Sequence, residues 1–193
     1  MLGLKLATDP RWVNLAEKSI EEILTDHAYC EQKATSSCIA LIQNHPDKDL
    51  LIQKLMPVVT EEWTHFKLVL EELKKRNLKL GLQRKDEYVF ELNKFFTKGN
   101  TKDVRFLDNL LMAGLIEARS CERFRLLSLE INDDDLKKFY HNLMVAEANH
   151  YKLFLDLAMH YFEKDKVKKR WNEWLEYETA VLKKMELRGD RMH

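Results

Sequence analysis

Two segments of this chain place a carboxylate and an imidazole three residues apart: Glu62-Trp63-Thr64-His65 and Glu147-Ala148-Asn149-His150. On a helix that spacing sets both side chains on one face. The chain holds 19 glutamates and seven histidines, so one such motif would mean nothing by itself. The surroundings give these two their meaning. Leu51, Leu55, Val58, Glu62, His65 and Val69 follow steps of four and three, which puts the polar pair inside an apolar stripe. Leu136, Tyr140, Leu143, Glu147, His150 and Phe154 repeat the pattern. A helical core does not take Glu and His without partners, because burying a lone carboxylate costs many kcal/mol.

Two further stripes supply one central carboxylate each. Leu24, His27, Glu31, Ala34, Cys38 and Leu41 form the first; Leu107, Leu110, Gly114, Glu117, Cys121 and Phe124 form the second. Glu122 competes with Glu117, since DHAYCE and EARSCE align and would match Glu31 to Glu122. Glu122 is much nearer the turn at 133 than Glu147 is, and the mismatch comes to roughly 9 Å at 1.5 Å rise per residue. It is also flanked by Arg119 and Arg123, at positions off the stripe. Glu117 is therefore chosen, with Glu122 as the fallback.

The set is four carboxylates and two imidazoles: a Glu from each of two helices and a Glu-x-x-His from each of two others. That is the donor pattern of a di-iron or di-manganese carboxylate centre. Oxygen and imidazole suit iron and manganese, and the lack of thiolate ligands argues against an iron–sulfur cluster or structural zinc. Four negative charges balance two divalent ions. The rival reading is a metal-free bundle with buried salt bridges; the stripes contain no Lys or Arg to form them. Spacing and periodicity reach as far as an O₂-active or metal-storing di-metal bundle.

Four long helices must carry these residues. They are expected at about 19–44, 49–76, 102–130 and 134–162, with turns at HPDKD (45–49) and Asn132–Asp135. Asp9-Pro10 opens a short helix to about Glu17. Ser19 with Glu22 resembles a capping box. Pro57 falls inside the second long helix and predicts a kink. Gly81 interrupts a less regular stretch, followed by a short helix near 86–97 that Gly99-Asn100 ends. A last helix, about 166–187, holds Trp171, Trp174 and Leu175 and packs down through its tryptophans. Long helices joined by short turns predict an all-α antiparallel four-helix bundle with extra short helices and a C-terminal helix, as one domain over 1–193.

Composition agrees. Of 193 residues, 45% are hydrophobic and 33% charged, while Gly and Pro number only five and three. So few turn-formers exclude a sandwich or barrel. Net charge is zero, which argues against a polybasic protein while leaving room for local basic patches. Cys30, Cys38 and Cys121 have no metal-like spacing and read as reduced thiols of a cytoplasmic protein. Neither a signal peptide nor a membrane span is expected.

The segments TDPRW, LTDHAYCEQKA, EEWTHF, LIEARSCERF and EANHY, which surround these residues, resemble the tRNA 2-methylthio-isopentenyl-adenosine hydroxylase family. The likeness spans nearly the whole chain and is weakest across 77–100 and after about 163. It implies a ferritin-like domain with a di-iron centre held by Glu31, Glu62, His65, Glu117, Glu147 and His150. It also implies a monooxygenase that uses O₂ to hydroxylate the isopentenyl group of a modified adenosine next to the anticodon of tRNA. An external electron donor, a reductase or ferredoxin, is implied, as is a monomer or small oligomer without membrane attachment. Ferritin-like iron storage or peroxide scavenging is the alternative. His27, one turn before Glu31, is a candidate hydrogen-bond partner behind the metal ligands. Gly114 leaves room for oxygen or substrate, or for close helix packing. RNA contact is expected of Lys168, Lys169 and Arg170, with Lys164 and Lys166, and of Lys74, Lys75, Arg76, Lys79, Arg84 and Lys85.

Overall fold

The computed structural model describes residues 2–96 and 101–193. It contains seven α-helices and, among the described residues, no strand. The chain divides into two compact units. One comprises Arg11–Lys85 with Arg188–Met192; the other comprises Met1–Pro10, Asp86–Leu187 and His193.

The first unit is a helical hairpin. Helix α1 (Arg11–Glu17) follows Pro10 and buries Trp12, Val13 and Ala16. A turn then leads to α2 (Ile20–Asn44). The capping box does not form. Ser19 makes no side-chain cap bond, because the turn, in which Ser19 N–H donates to the Ala16 carbonyl, holds it at φ −135°, ψ 41°. Those angles lie outside the extended region from which a capping side chain reaches forward. After the turn at 45–48, α3 (Asp49–Lys75) packs antiparallel on α2. It runs unbroken through Pro57, which sits on the exposed side, where water can serve the carbonyl that proline cannot bond.

Past the end of helix α3, Asn77 has a φ of 56° that lets the Leu78 N–H reach back to the Leu73 carbonyl at 2.9 Å. This is the left-handed stop usually made by glycine. The following segment lies along α2: Gly81 N–H donates to Thr25 Oγ1 at 3.2 Å, and Tyr29 Oη donates to the Gly81 carbonyl at 3.0 Å. Residues 188–192 close the unit. Arg191 Nη1 and the Met192 N–H donate to the two oxygens of Asp26 at 2.9 and 2.8 Å. Gly189 passes so close to α1 that a Cβ there would lie 2.2 Å from the Leu15 carbonyl carbon, which only glycine avoids.

The second unit holds α4 (Glu87–Asn93), α5 (Lys102–Glu130), α6 (Asp134–Tyr161) and α7 (Lys164–Leu182). Asp86, Thr101 and Asp133 cap the first three through side-chain oxygens that accept from Val89, Val104 and Leu136 N–H. Helix α4 is shorter than expected, and the Gly99-Asn100 stop lies outside the described residues. Helix α7 begins at Lys164, so most of the charged run EKDKVKKR is helical; the helix ends at Leu182, not near 187.

Helix α5 packs on α6 and α7 and is buried nearly all round from Phe106 to Phe124. A Cβ at Gly114 would stand 3.5 Å from Phe154 Cβ on α6, an ordinary contact, so packing against α6 does not by itself demand glycine there. Asp108 is fully buried and anchors α7. It accepts from Arg170 Nε and Nη2 at 2.6 and 3.0 Å and from Trp174 Nε1 at 3.0 Å.

Candidate metal centre

Each hairpin carries one set of metal-type donors. In the first, the α2–α3 register brings Glu31 beside the Glu62–His65 turn. His65 Nδ1 lies 3.6 Å from Glu31 Oε2 and 3.4 Å from Glu62 Oε2. All three residues are buried, and each offers a donor atom within 4.8 Å of the others. Burial disfavours a charged His65 ring, yet hydrogen bonding and charge from Glu31 and Glu62 outweigh it and push the pKa up to about 10. The pair of carboxylates thus creates a strong demand for positive charge.

His27 stands behind this set. Its Nε2 is 2.6 Å from Glu31 Oε1, so one carboxylate oxygen is held by His27 while Oε2 faces His65. Such a bond fixes which oxygen a ligating carboxylate presents. The next residue back, Asp26, is the anchor of segment 188–192.

In the second hairpin, Glu117 of α5 meets Glu147 and His150 of α6. All are buried, with donor atoms within 4.8 Å of one another, and His150 Nδ1 lies 3.7 Å from Glu147 Oε2. Glu122 has a different role. It accepts from Thr8 Oγ1 at 2.7 Å and from Arg119. The fallback on α5 is therefore engaged in a salt bridge, and Glu117 is the carboxylate beside the Glu-x-x-His.

Both hairpins also bury a cysteine near their donors. Burial, and then the charge of Glu62, pushes the Cys38 thiol up to about 12. Burial and Glu147 push Cys121 up to about 11, and its Sγ donates to the Met144 carbonyl at 3.3 Å. Both stay neutral thiols at ordinary pH.

The basic clusters divide. Lys164, Lys166, Lys168 and Lys169 are exposed. Arg170 is half-buried: Asp108 and Glu173 hold its guanidinium, which also lies over the Phe95 ring at 4.3 Å. In the other cluster, Lys75 and Arg76 pair with Glu72, and Arg84 pairs with Asp190.

The sequence reading missed a buried polar network in the second unit. Arg119, fully buried, donates to Glu178 Oε1 through Nε at 2.9 Å and Nη2 at 2.6 Å, to the Leu6 carbonyl at 2.9 Å, and to Glu122. Tyr88 Oη donates to the same Glu178 oxygen at 3.2 Å. The available signal was an Arg within the long apolar run of α5, with Glu122 one turn on.

An all-helical fold in which each hairpin buries a Glu and a Glu-x-x-His defines a metalloprotein of the ferritin-like class. The chain belongs to the tRNA-(MS[2]IO[6]A)-hydroxylase family (MiaE), whose description matches residues 2–193. It is 34% identical over 154 residues to a tRNA 2-(methylsulfanyl)-N(6)-isopentenyladenosine(37) hydroxylase of Pseudomonas putida, covering 80% of this chain and 74% of that one. A Salmonella typhimurium protein of the same name is 27% identical, over the same shares. Among solved structures, a Synechococcus protein described as having aldehyde deformylating oxygenase activity superposes with a TM-score of 0.92 at 32% identity, covering 98% of this chain and 94% of that one. The chain is thus an enzyme of the tRNA hydroxylase family, and the storage alternative is not favoured.

Proposed function

We propose that this chain hydroxylates the isopentenyl group of 2-methylthio-N(6)-isopentenyladenosine next to the anticodon of tRNA, and that its two units form one di-iron domain. The observation that carries the reading is the matched pair of buried Glu and Glu-x-x-His sets, one per hairpin, in a member of this family. Glu31, Glu62, His65, Glu117, Glu147 and His150 would hold two iron ions. The donors fit: four carboxylates neutralise two Fe(II), and imidazole and carboxylate are the ligand types that O₂-active iron uses. Iron bound there supplies the activation of O₂, with O₂, two electrons and two protons converting a C–H bond to C–OH plus water.

The chain's own residues do the rest. His27 orients Glu31 through Oε1 and leaves Oε2 for the metal. Leu24, Leu55, Val58, Leu143 and Phe154, all at most 4% exposed, extend the stripes on either side of the donors and keep water from them. The two electrons come from an external donor of the reductase or ferredoxin class, and the enzyme works in the cytoplasm as a monomer or small oligomer. No helix among the described residues is long and apolar enough to cross a membrane.

The test is nucleoside analysis of tRNA carrying the unhydroxylated base. The tRNA is incubated with iron-loaded protein, O₂ and a chemical reductant. Gain of one oxygen on the isopentenyl group supports the reading. An unchanged nucleoside, with about two irons bound per chain, overturns it.

A further inference from the structure

Helix α3 carries a second apolar stripe. Each residue of the donor-bearing stripe is followed by an apolar one: Ile52, Met56, Val59, Trp63, Phe66 and Leu70. One residue step turns the helix about 100°, so the second stripe runs beside the first, where a surface helix normally turns polar. It is not covered. Met56 is 60% and Trp63 44% exposed, and Ile52, Val59, Phe66 and Leu70 are half-buried. The Trp63 and Phe66 rings stack, with centroids 4.8 Å apart and planes at 22°. The positions three and four residues from Trp63 are Val59, Thr60, Phe66 and the exposed Lys67.

We propose that the Trp63–Phe66 pair is a stacking platform for unpaired nucleobases of the tRNA anticodon loop that flank the target nucleotide. This rests on the tRNA hydroxylase reading and adds the surface that receives the RNA. Flat aromatic rings with a lysine one turn along the helix are the chemistry that holds single-stranded nucleic acid, because every base offers a π face. The position suits the substrate. Trp63 and Phe66 directly follow Glu62 and His65, so the platform lies level with those donors along α3 and about 100° round the helix from them. The isopentenyl group has to reach inward while the neighbouring bases stay outside, and loop bases can be splayed and stacked in that way. A protein partner or a second copy of the chain would use the stripe as apolar area alone. That difference separates the possibilities.

The experiment compares Trp63→Ala, Trp63→Leu and Trp63→Phe in the full, iron-loaded chain. The probe is an anticodon stem-loop RNA carrying the isopentenylated adenosine. Stem-loop affinity and KM are measured, with iron content and melting temperature as controls on folding. Ala and Leu are expected to weaken RNA binding about tenfold or more at unchanged iron content, while Phe, which keeps a ring, stays near wild type. Wild-type RNA affinity in Trp63→Leu overturns the platform. So does a wild-type dimer that Trp63→Ala converts to monomers without loss of RNA affinity, which would assign the stripe to a second copy. If the wild-type chain binds the stem-loop but hydroxylates nothing, the hydroxylase reading fails, and the Trp63 series still decides the platform.

Discussion

Replacing Arg119 tests how the second unit is held together. Arg119→Met keeps the length and apolar stem of the side chain and removes the guanidinium. Glu178, fully buried, and Glu122, nearly so, then lose a shared cation, and the Leu6 carbonyl loses a donor. Breaking a buried ion pair from one side costs about 3–5 kcal/mol. At roughly 2–4 °C per kcal/mol for a chain of this size, the melting temperature should fall by about 6–20 °C. The loss should depend on pH. Burial already holds the Glu178 carboxyl above its usual range, against the pull of Arg119, and removing that pull raises it further. An acid with a raised folded pKa stabilises the fold below its unfolded pKa and loses that contribution as pH rises through the folded value. The variant's deficit should therefore be small near pH 4–5 and grow toward pH 8. Adding Glu178→Gln should recover part of it at neutral pH. Calorimetry of both variants across pH measures this. A single variant as stable as wild type, or a deficit that grows toward acid, would refute the reasoning.

Three further outcomes follow from the site and the surface. Fe(II) added without oxygen at about 100 times its Kd should stabilise the protein by about 2.7 kcal/mol, read as a rise of roughly 5–11 °C in melting temperature. Glu147→Ala should abolish that rise, and a rise that survives the substitution would remove Glu147 from the metal site. Lys168→Ala with Lys169→Ala should weaken tRNA binding and lower its salt slope by up to about 2. Arg170→Ala should instead lower stability, because it strips buried Asp108 of a cationic partner and leaves the Trp174 bond to hold it; a double lysine variant with wild-type slope places the phosphate contacts elsewhere.

The parts of this fold legible in sequence were those written in the 3.6-residue period. Glu62, His65, Glu147 and His150 stood inside apolar stripes, and the structure buries every residue named with them on α3 and α6. The choice of Glu117 over Glu122 rested on helix rise and on the arginines that flank Glu122, and one of them, Arg119, is its partner in the structure. What periodicity could not show was pairing between distant charges. Arg170 reads as one more cation in a basic run until Asp108, buried 62 positions earlier, is seen to hold it. Ser19 and Glu22 have the right letters for a capping box, but the turn out of α1 sets the backbone first. Helix α5 was read as one stripe; packing on more than one side buries Arg119, Glu122 and Arg123 as well.

Segment 188–192 gives the chain an order of assembly. The hairpin of α2 and α3 leaves the ribosome early, but the residues that bind Asp26 are made about a hundred residues later, a delay of roughly 5–20 s at ordinary elongation rates. Met1–Pro10 waits as well, since its Leu6 and Thr8 bind Arg119 and Glu122. The two units are interleaved along the chain, so no single cut in the gene yields either one complete. Nascent chains halted before residue 188 would carry an α1–α2 surface with Asp26 still exposed, a species for chaperones and proteases to recognise before any metal is bound.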